Sequence, residues 1–396
     1  MELLKEYLFH LSNKKSKQFR LIVCWIGLAV ILGAIAFLVV TLETRPQFIL
    51  RDFIAYWSAG RLTVTGFNPY NPEQLFALEK EIGWNKAQPI LFYNPPWTLL
   101  LLAPFSLLDY SVAVKLWLLM NLAIVLFCID RIWCYYGGPR PYRWLAWIVG
   151  IFFFPTIYVL LIGQIGSIIL LGLIGVLHFF KKERGWLVGV CAVLVGIKPH
   201  IVYLFWIALV FWVIERRYWS VILGMVLAFL GASIMILWLN PALPAQYLFA
   251  KVNSPNTLFS LQTPTFGTVL RKLWGWDKIW LQYVPPALGT MWFLVFWAKR
   301  HRSWDWGERL PILLLVSLTT TIYTWGYDQV VLLIAVGQVG VRALCDARRW
   351  RRFWAITPYI GINCAALYFA IGNAFWYIWM APSLLLWYLH MRKYLK

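Results

Sequence analysis

Acidic residues are scarce in this chain. Its 396 residues hold 16 Asp and Glu against 36 Lys and Arg, and charged residues of either sign reach only 13%. Nowhere do two acids adjoin or stand as Asp-x-Asp. A carboxylate cage for a divalent ion is therefore not expected, and no metal site is assigned. The six cysteines (Cys24, Cys128, Cys134, Cys191, Cys345, Cys364) lie in or beside apolar runs without Cys-x-x-Cys spacing. They imply neither a disulfide framework nor a thiolate metal site. Neither a Walker-type phosphate loop nor a dinucleotide fingerprint occurs, so no cofactor is expected. No polar linker or low-complexity tract divides the chain, and a single domain, 1–396, is expected.

What is abundant is apolar surface. Hydrophobic residues make up 61% of the chain and its mean hydropathy is +0.68. A soluble domain of this length has no interior large enough to hide that much. Repeated runs approach the roughly 20 residues that cross a hydrocarbon core, which predicts an all-α, multi-pass membrane protein. The formal charge of +20 would point to nucleic acid on a soluble chain. Here it reads as cytoplasmic loop anchors, with membrane lipids and not nucleic acid as the partner.

Apolar runs lie near 21–42, 112–131, 144–161, 165–180, 185–197, 199–214, 218–239, 279–298, 310–323, 327–345, 353–370 and 373–391. A further stretch, 97–108, lies between Pro95-Pro96 and Asp109 and is too short to cross at about 1.5 Å per residue. If it does not cross, one side collects 25 of the 36 Lys and Arg: the N-terminus up to Arg20, Arg131–Arg143, Lys181–Arg184, Arg216-Arg217, Lys299–Arg309, Arg342–Arg352 and the end from Arg392. That asymmetry predicts about twelve spans in the plasma (cytoplasmic) membrane, both termini cytoplasmic. It also makes 97–108 a re-entrant or interfacial helix. The basic N-terminus reads as a retained first span, since its apolar run is long and has no small-residue cleavage site.

This topology sends the unusual polar motifs to the outer side: "RDFIAYWSAG" from Arg51, "GFNPYNP", "FYNPPW", "LIGQIG", "GIKPH" and "TWGYDQ", with outer loops at 43–111 and 240–278. In order and spacing these motifs resemble the integral-membrane, polyprenyl-phosphate-sugar-dependent glycosyltransferases of the GT-C superfamily. The closest branch is the phosphatidylinositol-mannoside mannosyltransferases. The resemblance covers residues 52–333 and implies a GT-C-like bundle with short interfacial or re-entrant helices on the outer side. It also implies a polyprenyl-phosphate hexose donor and a lipid or surface-glycan acceptor.

Within that resemblance Asp52 is the expected catalytic base, because an inverting transferase must take a proton from the attacking hydroxyl and a positioned carboxylate does this. Without it, an interfacial helix cap is the alternative. The leaving lipid phosphate needs cations and helix N-termini rather than a proton. Lys198 and His200 are the leading candidates, with Arg51 and Arg61 beside them, while a snorkelling helix-end Lys is the plainer reading of Lys198. Candidate sugar-binding residues are Tyr56, Asn68, Tyr70, Tyr93, Asn94, Gln164, Tyr327 and Asp328. Asn68 and Asn94 also suit the turns made by their neighbouring prolines, and Gln164 suits a glycine-flanked hairpin. Some relatives carry His where this chain has Tyr327-Asp328. Two further readings are a lipid or polysaccharide transporter without chemistry, and a protein-glycosylating transferase.

Overall fold

The computed structural model describes residues 51–253, 260–346, 348–369 and 374–394. The expected first span at 21–42 and the basic N-terminus lie outside the described residues, as does Cys24. Among the described residues the chain is helical, without strands. Three helices come before the first long one: α1 (Arg51–Val64), α2 (Pro72–Glu81) and α3 (Thr98–Ser106). They are followed by α4 (Tyr110–Tyr135), α5 (Arg143–Ile151), α6 (Phe154–Ile162), α7 (Gly166–Lys181), α8 (Gly185–Val195), α9 (Tyr203–Arg216) and α10 (Ser220–Leu239). Then come α11 (Leu243–Asn253), α12 (Phe266–Trp274), α13 (Val284–Arg300), α14 (Trp306–Thr320), α15 (Leu333–Cys345), α16 (Arg349–Phe369) and α17 (Met380–Tyr394).

Each apolar run after the first falls on a helix, but helix and span are not the same. Among the described residues, five segments have the length and composition to cross a bilayer: Tyr110–Tyr135, Pro199–Arg216, Ser220–Leu239, Ile279–Ser303 and Gly326–Cys345. A sixth is added if Arg140–Ile151 and Phe154–Ile162, bent by 57° at their junction, count together. The bend has a local cause. Pro155 stands in the first turn of α6, where its missing N–H costs nothing, and Phe153 before it is extended. At 11 residues, α8 is short. It is wedged between α7 and α10 by small residues. A Cβ on Gly189 would lie 2.0 Å from the Val221 carbonyl oxygen, and one on Gly224 would lie 1.8 Å from that of Trp186.

Five helices share a polarity that organises the molecule. One end of α7, α8, α9, α14 and α15 meets the segments carrying Gln164, Lys198 and Asp328. The other end meets Lys181, Arg184, Arg216, Trp306 and Arg342. These are a polar end and a basic end, separated by about 24 Å along the 16-residue α7. The helix α3, expected from 97–108, forms over nine residues. It braces α1: Ser106 donates to the Trp57 carbonyl at 3.1 Å, Arg61 to the Ser106 carbonyl at 3.1 Å, and the Trp57 indole to the Leu108 carbonyl at 3.1 Å. Gly60 allows the approach, since a Cβ there would lie 2.0 Å from Ser106 Oγ. This bracing fixes the helix that bears Asp52.

Candidate active site

The polar end gathers residues from four stretches of chain. Asp52 sits in the first turn of α1. Its Oδ1 accepts from Arg51 at 3.3 Å and its Oδ2 from the Gln164 amide at 2.5 Å. Gln164 Oε1 in turn accepts from the Tyr56 hydroxyl at 2.8 Å, one turn along α1, and from Lys198 Nζ at 3.1 Å. Lys198 completes the chain by pairing with Asp328 Oδ1 at 2.8 Å. Its ammonium also lies 4.9 Å from the centre of the Tyr327 ring, within cation–π range.

Local sequence explains each placement. In "LIGQIG", Gly163 adopts a left-handed conformation (φ 77°) that ends α6 and turns the chain toward Gln164. The Trp117 indole pins that turn by donating to the Gly163 carbonyl at 2.8 Å. Gly166 then opens α7 where a Cβ would already touch Val330 at 3.0 Å, so the 326–332 segment can lie against it. In "GIKPH", Lys198 leaves the helical conformation (φ −133°, ψ 72°) before Pro199, which starts a 3-10 turn and then α9. In "TWGYDQ", Asp328 caps the same kind of turn: its Oδ2 accepts from the Trp325 backbone N–H at 2.9 Å. Asp328 is thus both a cap and an ion-pair partner, and it is wholly buried. The Lys198 side chain is only 13% exposed, which is unlike an amine reaching for water.

The surroundings hold protons and charge in place. Burial, then the charge of Asp52, raises the Tyr56 phenol well above its ordinary range. It therefore stays protonated as the donor to Gln164. His200 has a buried Nε2 without a partner among the described residues, and its ring meets the edge of Tyr323 at 5.6 Å. Its backbone carbonyl accepts from Thr321 at 2.8 Å, which ties "GIKPH" to the loop before Asp328.

A second group forms a wall beside this centre. Tyr70 donates to the Asn94 carbonyl at 3.1 Å and stacks near Phe92 and Tyr247. Lys251 lies 5.5 Å from the centres of both the Tyr93 and Tyr247 rings, and burial lowers its pKa. Asn94 sits beside Tyr56. Two expected site residues are employed elsewhere. Arg61 lies in the last turn of α1 against α3, nine residues beyond Asp52 and about 13 Å along the helix. Asn68 turns the chain by accepting from the Tyr70 N–H at 2.9 Å.

Sequence reasoning passed over Tyr158, which packs against Tyr327 at 5.5 Å. It also passed over the Tyr323–Trp325 pair, joined by an indole-to-hydroxyl bond of 2.7 Å. With 26 Trp and 20 Tyr in the chain, nothing in the pattern distinguishes these three from membrane-interface aromatics.

The family model of glycosyltransferase family 87 matches residues 92–325, more than half of the chain. The chain belongs to glycosyltransferase family 87. No curated protein and no solved structure matches it. The matched stretch contains Gln164, Lys198 and His200 and ends three residues before Asp328; Asp52 and Tyr56 precede it. Membership makes this multi-pass membrane protein a glycosyltransferase, with a sugar donor and an acceptor as its substrates.

Proposed function

We propose that this glycosyltransferase moves a hexose from a polyprenyl-phosphate donor to a lipid or surface-glycan acceptor with inversion, and that Asp52 is the general base. The motif resemblance favours mannose as the hexose. The observation that carries the reading is the continuous chain Asp52–Gln164–Lys198–Asp328. It sets a partly exposed carboxylate one amide side chain away from a fixed cation at one end of the bundle. The acceptor hydroxyl attacks the anomeric carbon, its oxygen forms the new glycosidic bond, and its proton passes to Asp52. The bond from the anomeric carbon to the phosphate oxygen breaks, and the lipid phosphate leaves carrying the electron pair. It needs no proton if cations meet its charge. Arg51 stands beside Asp52 for that purpose and Lys198 lies just beyond Gln164, and His200 Nε2 is an unspent buried group two residues from Lys198.

Asp328 would hold Lys198 in position and share its charge until a phosphate arrives. Gln164 would orient the Asp52 carboxylate, with Tyr56 and Lys198 fixing the amide itself. Tyr70, Tyr93 and Asn94 form the wall on which a sugar or a headgroup would rest. In this reading the polar end faces outward from the plasma membrane, the basic end faces the cytoplasm, and the chain crosses about twelve times. The test is transfer of radiolabel from a panel of polyprenyl-phosphate hexoses to a lipid extract by the purified protein, in EDTA. Label in an acceptor with one of these donors is the expected result. Label appearing only with a nucleotide sugar, or only with added Mg²⁺ or Mn²⁺, would overturn the donor assignment.

A further inference from the structure

A cavity of about 790 Å³ lies at the basic end and belongs to no part of the centre above. It opens where α4, α7, α9 and α15 finish and α14 begins, a helix length from Asp52. Its walls are aromatic: Phe180 and Trp306 stack at 4.9 Å with rings 4° apart, Trp212 meets the edge of Phe180 at 4.8 Å, and Trp304 meets that of Trp306 at 5.6 Å. Interfacial belt aromatics point into lipid. Here Trp306 is 5% exposed and lines the cavity.

The polar groups around the cavity divide unevenly between spent and unspent. Glu308 is paired with Arg342, and Asp305 caps α14 by accepting from the Glu308 N–H at 2.8 Å. Glu183 also lines the cavity and brings a third carboxylate to it. Among the described residues the unspent donors are Lys181, which makes a cation–π contact with Tyr135, 5.1 Å from its ring centre, and Arg216, which holds one backbone carbonyl at 3.1 Å. The indole nitrogens of Trp304 and Trp306 are buried without partners among the described residues. Buried donors without acceptors are costly, so a site left this way favours an acceptor-rich anion.

A second cavity of about 390 Å³ shares Tyr135 and Lys181 with the first and continues past them over Ile132, Ile174 and Leu177, with Arg131, His178 and Lys182 also lining it. A polar, aromatic chamber thus adjoins a groove with apolar and basic walls. That is the shape of an amphiphile: an anionic head in the first and a hydrocarbon chain in the second.

We propose that the basic end carries a second ligand site, which takes the phosphate headgroup of an anionic lipid between Lys181, Arg216 and Trp306. The site is independent of the catalytic reading, because no residue of one lines the other.

The test uses the full chain in a non-ionic detergent, titrated with dihexanoyl phosphatidic acid and, separately, inorganic phosphate. Native mass spectrometry counts bound molecules and calorimetry gives affinity. Saturable binding of one phosphatidic acid per chain is expected. It should weaken about tenfold or more in Lys181→Gln/Arg216→Gln, the scale of losing charge-assisted bonds. Trp306→Phe, which keeps the stack and removes the indole N–H, should weaken it less. Lys80→Gln/Lys86→Gln removes equal charge at the polar end and should leave it unchanged. Equal affinity for inorganic phosphate would keep the phosphate site but make its source soluble. Absence of saturable binding, or binding unchanged in a Lys181→Gln/Arg216→Gln protein that still melts cooperatively, would overturn the proposal.

Discussion

Lys198 and Asp328 show how a polar interruption at the end of an apolar run becomes a site. Each is recognisable in the sequence as a charge the membrane should reject, and neither discloses its partner, which lies 130 residues away. The ion pair also changes what a mutation there tests. Lys198→Met leaves Asp328 charged and wholly buried, and breaking a buried pair on one side costs about 3–5 kcal/mol. Lys198→Met/Asp328→Asn removes both charges and keeps an acceptor for the Trp325 N–H. In detergent the single variant should therefore melt well below the double variant, while neither transfers sugar at the wild-type rate. Equal melting of the two would mean the pair is not formed. Lys198→Arg should keep the fold and recover activity only in part, because a planar fork must occupy a place shaped for a point charge. Its loss should fall on the donor KM or kcat rather than on the acceptor KM.

Whole elements were easier to read than their contacts. Hydropathy alone locates the long apolar helices after residue 110, because a 3.6-residue turn in an apolar run has few alternatives, but it passes over α11 and α12, which form in the stretch 240–278 read as an outer loop. It also marks 97–108 as too short to cross. The bend between α5 and α6 hides inside one continuous run, 144–161. The glycines of α8 and α10 look alike in sequence, although only some are contacts. Gly224→Ala would drive a methyl group against the Trp186 carbonyl and cost about 1–3 kcal/mol. Gly231→Ala on the same helix meets nothing within 4 Å and should be neutral or stabilise by up to ~1 kcal/mol. A fall in Tm for the first variant alone is the expected outcome.

In α2, Glu79 is buried, with one oxygen accepting from the Ile90 N–H at 3.0 Å and the other without a partner. Burial pushes its carboxyl up to about 7 from an ordinary 4.5, with the Ile90 bond opposing. The folded state then binds more protons than the unfolded state between those values. Stability is fully present below pH 4.5 and is lost as pH rises through about 7. Glu79→Gln should raise Tm at pH 8 by about 2 °C and flatten its decline from pH 5 to pH 8. An unchanged profile would show that Glu79 does not carry it.

At the scale of the molecule, the charge asymmetry read from loops reappears as two chemically distinct ends of one helix set. At the polar end six residues that the sequence singles out as site candidates lie together: Asp52, Tyr56, Gln164, Lys198, Tyr327 and Asp328. The sequence could not order them. That Gln164, and not a cation, stands between the acid and the lysine follows from the turn at Gly163 and the close approach at Gly166, which are tertiary facts. The central claim concerns what this assembly does, and Asp52→Asn in the radiolabel-transfer assay tests it most directly. Asn keeps an oxygen for the Gln164 amide, so the geometry should survive while the proton acceptor is lost. Transfer should fall by about 10²–10⁴ with an unchanged melting transition. Near-normal turnover by the folded Asn variant would contradict the account.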